Sequence, residues 1–195
     1  MEAEEKPLNG NESLQIIQQM ISQAKQQYSD DSFMYLLWGW LVFIASLSHY
    51  ILAYEGFEYA QMVWLLMIVG GIASAIYGRK KRKQEQVKTY IDEFAKYVLT
   101  AFMVSLFIVL FFMQHLQLNC YPMVMMVYGI WLYVSGGTLR FKPIMIGGII
   151  NWVLAIAAFY ADFNTQLLLL ALAVLCGYII PGYMLRNRYK KQQLS

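Results

Sequence analysis

The sequence predicts an all-α integral membrane protein: a bundle of six transmembrane helices built as three antiparallel hairpins, with an N-terminal amphipathic helix outside the bilayer. Three observations carry this. Of 195 residues, 59% are hydrophobic and 14% charged, against roughly 45–50% and about 25% in an ordinary soluble domain. Mean hydropathy is +0.44, and the apolar residues form uninterrupted blocks of 19 to 22 rather than short amphipathic runs. All 15 Lys and Arg fall in alternate segments between the blocks, the bias that sets the orientation of an inserted bundle. The length suits one domain, and a net charge of +3 gives no electrostatic footprint for nucleic acid.

The arm, residues 1–32, comes first. Glu2, Glu4, Glu5, Pro7, Asn9, Gly10 and Asn11 open it with the composition of a disordered lead-in. No signal peptide is read there, because the start is acidic and polar and the first apolar block lacks a small-residue cleavage site. Over about 12–28, Leu14, Ile17, Ile21, Ala24 and Tyr28 recur at intervals of three and four and define one helical stripe, opposite a face of Gln15, Gln18, Gln19, Ser22, Gln23, Gln26 and Gln27. Lys25 is its one cation, which disfavours a lipid-surface helix. The stripe suits packing against protein: under its own bundle, on a second copy, or on a cytoplasmic partner.

The transmembrane domain, 33–185, holds spans at 33–54, 59–77, 97–116, 121–139, 143–161 and 165–185, and none of them contains Asp, Glu, Lys or Arg. At 1.5 Å rise per residue each matches the roughly 30 Å hydrocarbon thickness, and in lipid only helices or closed barrels satisfy the backbone. The outer connections carry Glu55, Glu58 and Asp162 as their charges. A basic tail, 186–195, follows span six. Both termini are expected in the cytoplasm, and a bacterial inner membrane suits the pattern best. Arg79, Lys80, Lys81, Arg82 and Lys83 follow span two and are candidate contacts for anionic lipid, beside their role in setting topology.

Small residues gather toward the cytoplasmic half. Gly70, Ser74 and Gly78, with Gly71 and Ala75, form four-residue spacings on span two where another helix can approach closely. Gly147 and Gly148 open span five, and Gly177, Pro181 and Gly182 lie in span six, where Pro181 should free the Gly177 carbonyl and kink the helix. Asn151, one turn after Gly147 and Gly148, should point into the bundle for a hydrogen bond. Two readings stay open for this set: close helix packing, or a broken helix end lining a cytoplasm-facing ligand cavity. Cys120 and Cys176 sit at different depths and are read as small hydrophobes rather than a disulfide.

No catalytic residue, metal site or cofactor is assigned. His49 and His115 fall toward the outer ends of their spans, near the level of Cys120, Glu55, Glu58 and Asp162, but with neither an i, i+4 His pair nor a CxxC. An ion-coupled carrier places an ionisable group at depth, and intramembrane proteases need paired Asp, Ser with His, or a zinc helix; the spans have none of these sets. Lipid chemistry by His49, His115 and Asp162 at the outer surface is the single enzymatic version the residues permit.

LQIIQQMISQAKQQ in the arm, WGWLVFIASLSHYIL in span one, SGGTLRFKP between spans four and five, and GYIIPGYML before the basic tail together resemble an uncharacterised family of six-span membrane proteins from Bacteroidota. The resemblance covers nearly the whole chain and implies the architecture and the inner-membrane address, with no activity to transfer. Two functions are then expected. One is a non-enzymatic interaction or regulatory module that contacts a cytoplasmic protein partner, or a second copy, through the cytoplasmic face. The other is a small-molecule or lipid-binding transport component, similar in size and span number to the substrate-binding subunits of energy-coupling-factor importers.

Overall fold

The apolar blocks form six helices long and apolar enough to cross a membrane: α1 (Ser32–Tyr54), α2 (Ala60–Lys80), α3 (Glu93–Phe111), α4 (Met113–Thr138), α5 (Lys142–Phe159) and α6 (Phe163–Lys191). The computed structural model describes residues 31–84 and 90–193, and no strand occurs among them. The arm with Leu14, Ile17, Ile21, Ala24 and Tyr28 lies outside the described residues, as do the side chains of Lys81, Arg82 and Lys83.

Side-chain contacts give the register. Along α1 and α2, Phe33 meets Tyr77, Trp38 meets Ser74 and His49 meets Trp64, so the two helices run antiparallel. Along α4 and α5, Gly136 faces Met145, Gly129 faces Gly148, and Trp152 bonds Met126. Along α5 and α6, Gly147 faces Gly177, Asn151 bonds Ala173, and Gln166 bonds Ala158. α1 also lies antiparallel to α6, with Gly182 on Leu36, Gly39 on Ile179 and Ser46 on Leu167. One end of the bundle therefore gathers the α1–α2, α3–α4 and α5–α6 connections and is here called the short-connection end. The other, here called the basic end, gathers the starts of α1, α3 and α5 and the ends of α2, α4 and α6.

Four of the helices make the core. Met125 and Leu132 of α4, Ile144 of α5, and Leu167, Leu170 and Leu185 of α6 are fully sealed, and α1 adds Val42, Ala45 and Ser46. The outer pair is peripheral. α2 rests on α1, whereas α3 rests on α4 through Phe102, whose ring centroid lies 5.1 Å from that of Trp131 and 5.9 Å from that of Tyr128. No residue in the apolar window of α3 is buried. The outward faces, including Ile68, Ile72 and Ile76 on α2 and Phe107 and Phe111 on α3, are apolar surface of the kind that hydrocarbon covers.

Local chemistry sets the breaks. The sequence reading carries span three to 116, but the helix stops at Phe111; a short helix, Met113–Leu116, and a 3-10 turn, Gln117–Asn119, follow before the main helix of α4 (Cys120–Thr138). The polar run Gln114, His115, Gln117 and Asn119 suits a turn better than a buried helix, and Gln117 takes φ 47° there. α4 ends in a Schellman-type turn: the Phe141 N–H donates to Gly136 O at 2.9 Å, and Arg140 occupies the left-handed position at φ 49°. α6 runs past 185 to Gln193 because Arg, Lys and Gln are good helix formers. Within it, Leu175–Ile179 is a π turn just before Pro181. A proline ring collides with the carbonyl four residues back, so widening the turn at Gly177 relieves the strain the sequence places there.

Candidate functional site

The residues the sequence singles out in spans five and six come together. Asn151 is fully buried; its Nδ2 donates to Gly147 O at 2.9 Å and to Ala173 O at 3.0 Å. The first bond stays on its own helix; the second ties α5 to α6 just ahead of the π turn. Asn151 Oδ1 accepts no bond among the described residues.

Around this carboxamide the glycines act as contact points. A Cβ on Gly147 would stand 2.7 Å from Gly177 Cα, and one on Gly177 would stand 2.6 Å from Asn151 Nδ2 and 2.7 Å from a Leu132 methyl. A Cβ on Gly148 would come within 2.8 Å of both Gly129 O and Tyr133 N, and one on Gly182 within 3.0 Å of Leu36. Such distances leave no easy room for a Cβ: at Gly147 and Gly148 the nearest neighbour is backbone, whereas at Gly177 and Gly182 it is a side chain. Pro181 is buried beside them. Gly129 and Gly39, which the sequence reading did not single out, belong to the same set: a Cβ on Gly129 would collide with the Trp152 indole, and one on Gly39 would stand 3.0 Å from Tyr178 and Ile179 side-chain atoms. Each is an isolated glycine in an apolar run, and its partner lies on another helix, so no spacing marks it.

The span-two strip divides. Gly70 faces α1, with a prospective Cβ 2.5 Å from Leu41 Cδ1, and Ser74 Oγ accepts from Trp38 Nε1 at 3.1 Å. Gly71 and Gly78 have nothing within 4 Å of a prospective Cβ, and Ala75 is exposed. Gly70 and Ser74 face α1; Gly78, in the same four-residue row, does not, and neither does Gly71 of the next row.

At the basic end Arg79, Lys80, Lys96, Arg140, Lys142, Arg186, Arg188, Lys190 and Lys191 are all exposed. The Arg188 guanidinium sits over the Phe141 ring, 5.6 Å from its centroid, a cation–π contact that fixes one charge of the set.

At the opposite end a polar layer links the helices. Asp162 caps α6: Oδ2 accepts from the Asn164 and Thr165 N–H groups at 3.1 and 3.2 Å, and Oδ1 from the Thr165 hydroxyl at 2.5 Å. The hydroxyl bond first, and the N–H bonds with it, hold this carboxyl below its ordinary range. Gln166, 1% exposed, donates to Ala158 O and Ala161 O at 3.1 Å each, and its Oε1 has no partner among the described residues. Ser46 Oγ donates to Leu167 O at 2.7 Å. His49 is buried among Trp64, Tyr121 and Phe163, whereas His115 is exposed and lies edge-on to Phe112. Cys120 and Cys176 are both free thiols. Among the described residues no group of three or more His, Cys, Asp or Glu gathers as a metal site.

Compared with family models, with curated proteins and with solved structures, the chain matches none of them.

Proposed function

We propose that this chain is a multi-pass protein of a bacterial inner membrane, with both termini in the cytoplasm, and that it serves as a non-enzymatic interaction or regulatory module. Its cytoplasmic face, in this reading the basic end, engages a protein partner or a second copy. The observation that carries the proposal is the contrast between the two parts of the molecule. Inside the bundle, the donors of Asn151, Gln166 and Ser46 are taken up by backbone carbonyls, and the inner glycines close helix on helix. At the basic end, nine cations from four helices and one connection stand exposed. Each can attract an anionic surface by about 1 kcal/mol at best, so together they favour an acidic segment or an anionic bilayer face. The bilayer itself is the first partner, and membership of the six-span Bacteroidota family that the sequence resembles is part of the same proposal.

The test is crosslinking and native mass spectrometry of the full chain beside a chain lacking residues 1–31. The oligomer or captured partner is expected to disappear with the arm while membrane insertion is retained. Association that survives the deletion refutes this role of the arm.

A second reading, a small-molecule or lipid-binding transport component, has one observation in its favour: Asn151 Oδ1 is a fully buried acceptor without a partner among the described residues, and such a group accepts readily from any donor that reaches it. A defined small mass retained on a monomer, and lost from a folded Asn151→Leu variant, supports this reading over the first.

A further inference from the structure

Four aromatic side chains from four helices meet at the short-connection end. Trp64 Nε1 of α2 lies 2.9 Å from Nδ1 of His49 on α1, and the Tyr121 hydroxyl of α4 lies 3.3 Å from the same nitrogen. The Phe163 ring of α6 stands edge-on to the imidazole at 5.6 Å and to Tyr121 at 5.5 Å. An indole N–H can only donate, so His49 Nδ1 must carry a lone pair, and the ring's single proton is on Nε2. The imidazole is 5% exposed, and its one acceptor serves two donors.

We propose that the His49–Trp64 bond is a proton-operated latch: it is closed when the imidazole is neutral and opens when Nδ1 takes a proton, releasing the first turns of α2 from α1 and α4. The chemistry balances simply. The incoming proton occupies the lone pair that accepted from the indole, so two N–H groups then face each other. The Tyr121 hydroxyl can rotate to accept from the new N–H; the indole has no such option. Trp64 must move, and the segment that carries it is built to move. Ala60–Leu65 is a 3-10 helix without a side-chain cap at Tyr59, a form with poorer hydrogen-bond geometry than the α-helix. The exposed connection before it contains Gly56 at φ 77°, a conformation that glycine adopts without strain. The remainder of α2 is held independently by the contact of Gly70 with Leu41 and the bond of Trp38 to Ser74.

The charged and titratable surroundings leave His49 as the group that responds. α4 presents Tyr121, with Cys120 beside it, and both are acids that stay neutral across the range in which imidazole titrates. The turn Ala60–Leu65 contains no ionisable side chain. Asp162, next to Phe163, is engaged in its own helix cap, and Glu55 and Glu58 are exposed in the connection.

The experiment is hydrogen–deuterium exchange of the backbone at 59–66 in the purified full chain, compared between about pH 8 and about pH 4, well below the unperturbed imidazole value, after correction for intrinsic exchange. Protection there is expected to fall by about tenfold on acidification, the worth of one such hydrogen bond, with the α4–α5 contact around Gly136 unchanged. His49→Asn places a non-titrating carbonyl oxygen where Nδ1 stands and should keep protection at both pH values. Trp64→Phe removes the donor and should give low protection at both. Wild-type protection that does not change with pH, or an equal loss in His49→Asn, overturns the proposal.

Discussion

Gly147 and Gly177 bring α5 and α6 together backbone to backbone, so that a Cβ on the first would stand 2.7 Å from the Cα of the second. The neighbour is main chain held by helical hydrogen bonds and cannot turn aside as a side chain can. Gly147→Ala therefore forces the helices apart and disturbs the Asn151 bonds to Gly147 O and Ala173 O. Destabilisation of about 1–3 kcal/mol is expected, read as a lower thermal midpoint in detergent. An unchanged midpoint would show that the two helices have slack the geometry does not reveal.

Gly70 and Gly71 are adjacent in sequence and opposite in consequence. Leucine at 70 has to displace Leu41 and the Trp38 ring, whereas leucine at 71 enters open space. Gly70→Leu should cost about 1–3 kcal/mol. Gly71→Leu should leave stability equal or higher, because glycine is about 1 kcal/mol less favourable than alanine within a helix. Unfolding of the two variants in parallel tests this; equal losses would place Gly71 against an undescribed neighbour.

How far these features were legible in the sequence depends on whether the signal is local. A block of about twenty apolar residues without charge is local, so the six helices can be read directly. Asn151 and its glycines are half-local: spacing puts them on one face, but which helix that face meets is a tertiary fact. For that reason the sequence joins Gly70 and Gly71 in one strip, while the structure faces one inward and the other outward. Gly129 and Gly39 are clearer examples, since only the Trp152 ring and the Tyr178 and Ile179 side chains make them necessary. The His49 cluster is wholly non-local. Trp64 and Tyr121 are 15 and 72 positions away from the imidazole, and no period in the chain connects them.

Arg140 occupies the left-handed position that closes α4, at φ 49°. For a residue with a Cβ this conformation costs roughly 1–2 kcal/mol relative to the right-handed region, and glycine is the usual occupant. Its side chain is exposed, so little packing is lost by removing it. Arg140→Gly should stabilise the bundle by about 1 kcal/mol after the extra freedom glycine gives the unfolded chain is allowed for, seen as a higher thermal midpoint. If the cation has a role at the basic end, binding to anionic vesicles should weaken in the same variant, separating stability from function at one residue.

Asp162 makes the stability of α6 depend on pH in a direction that follows from its bonds. The Thr165 hydroxyl and the N–H groups of Thr165 and Asn164 all donate to the carboxylate, which favours the charged form and lowers its pKa in the folded chain. The unfolded chain keeps an ordinary aspartate value near ~4. The cap's contribution is therefore complete above that value and is lost as the pH falls through the lower, folded one. Asp162→Asn retains a neutral oxygen for the same donors and has no proton to gain. The difference in thermal midpoint between wild type and Asp162→Asn should accordingly be steady near neutral pH and shrink on acidification below about pH 4. A gap that stays constant down to the lowest pH at which the protein remains folded would mean that the Thr165 hydroxyl and the backbone N–H groups bind the charged and neutral forms equally, and that Asp162 holds α6 by shape alone.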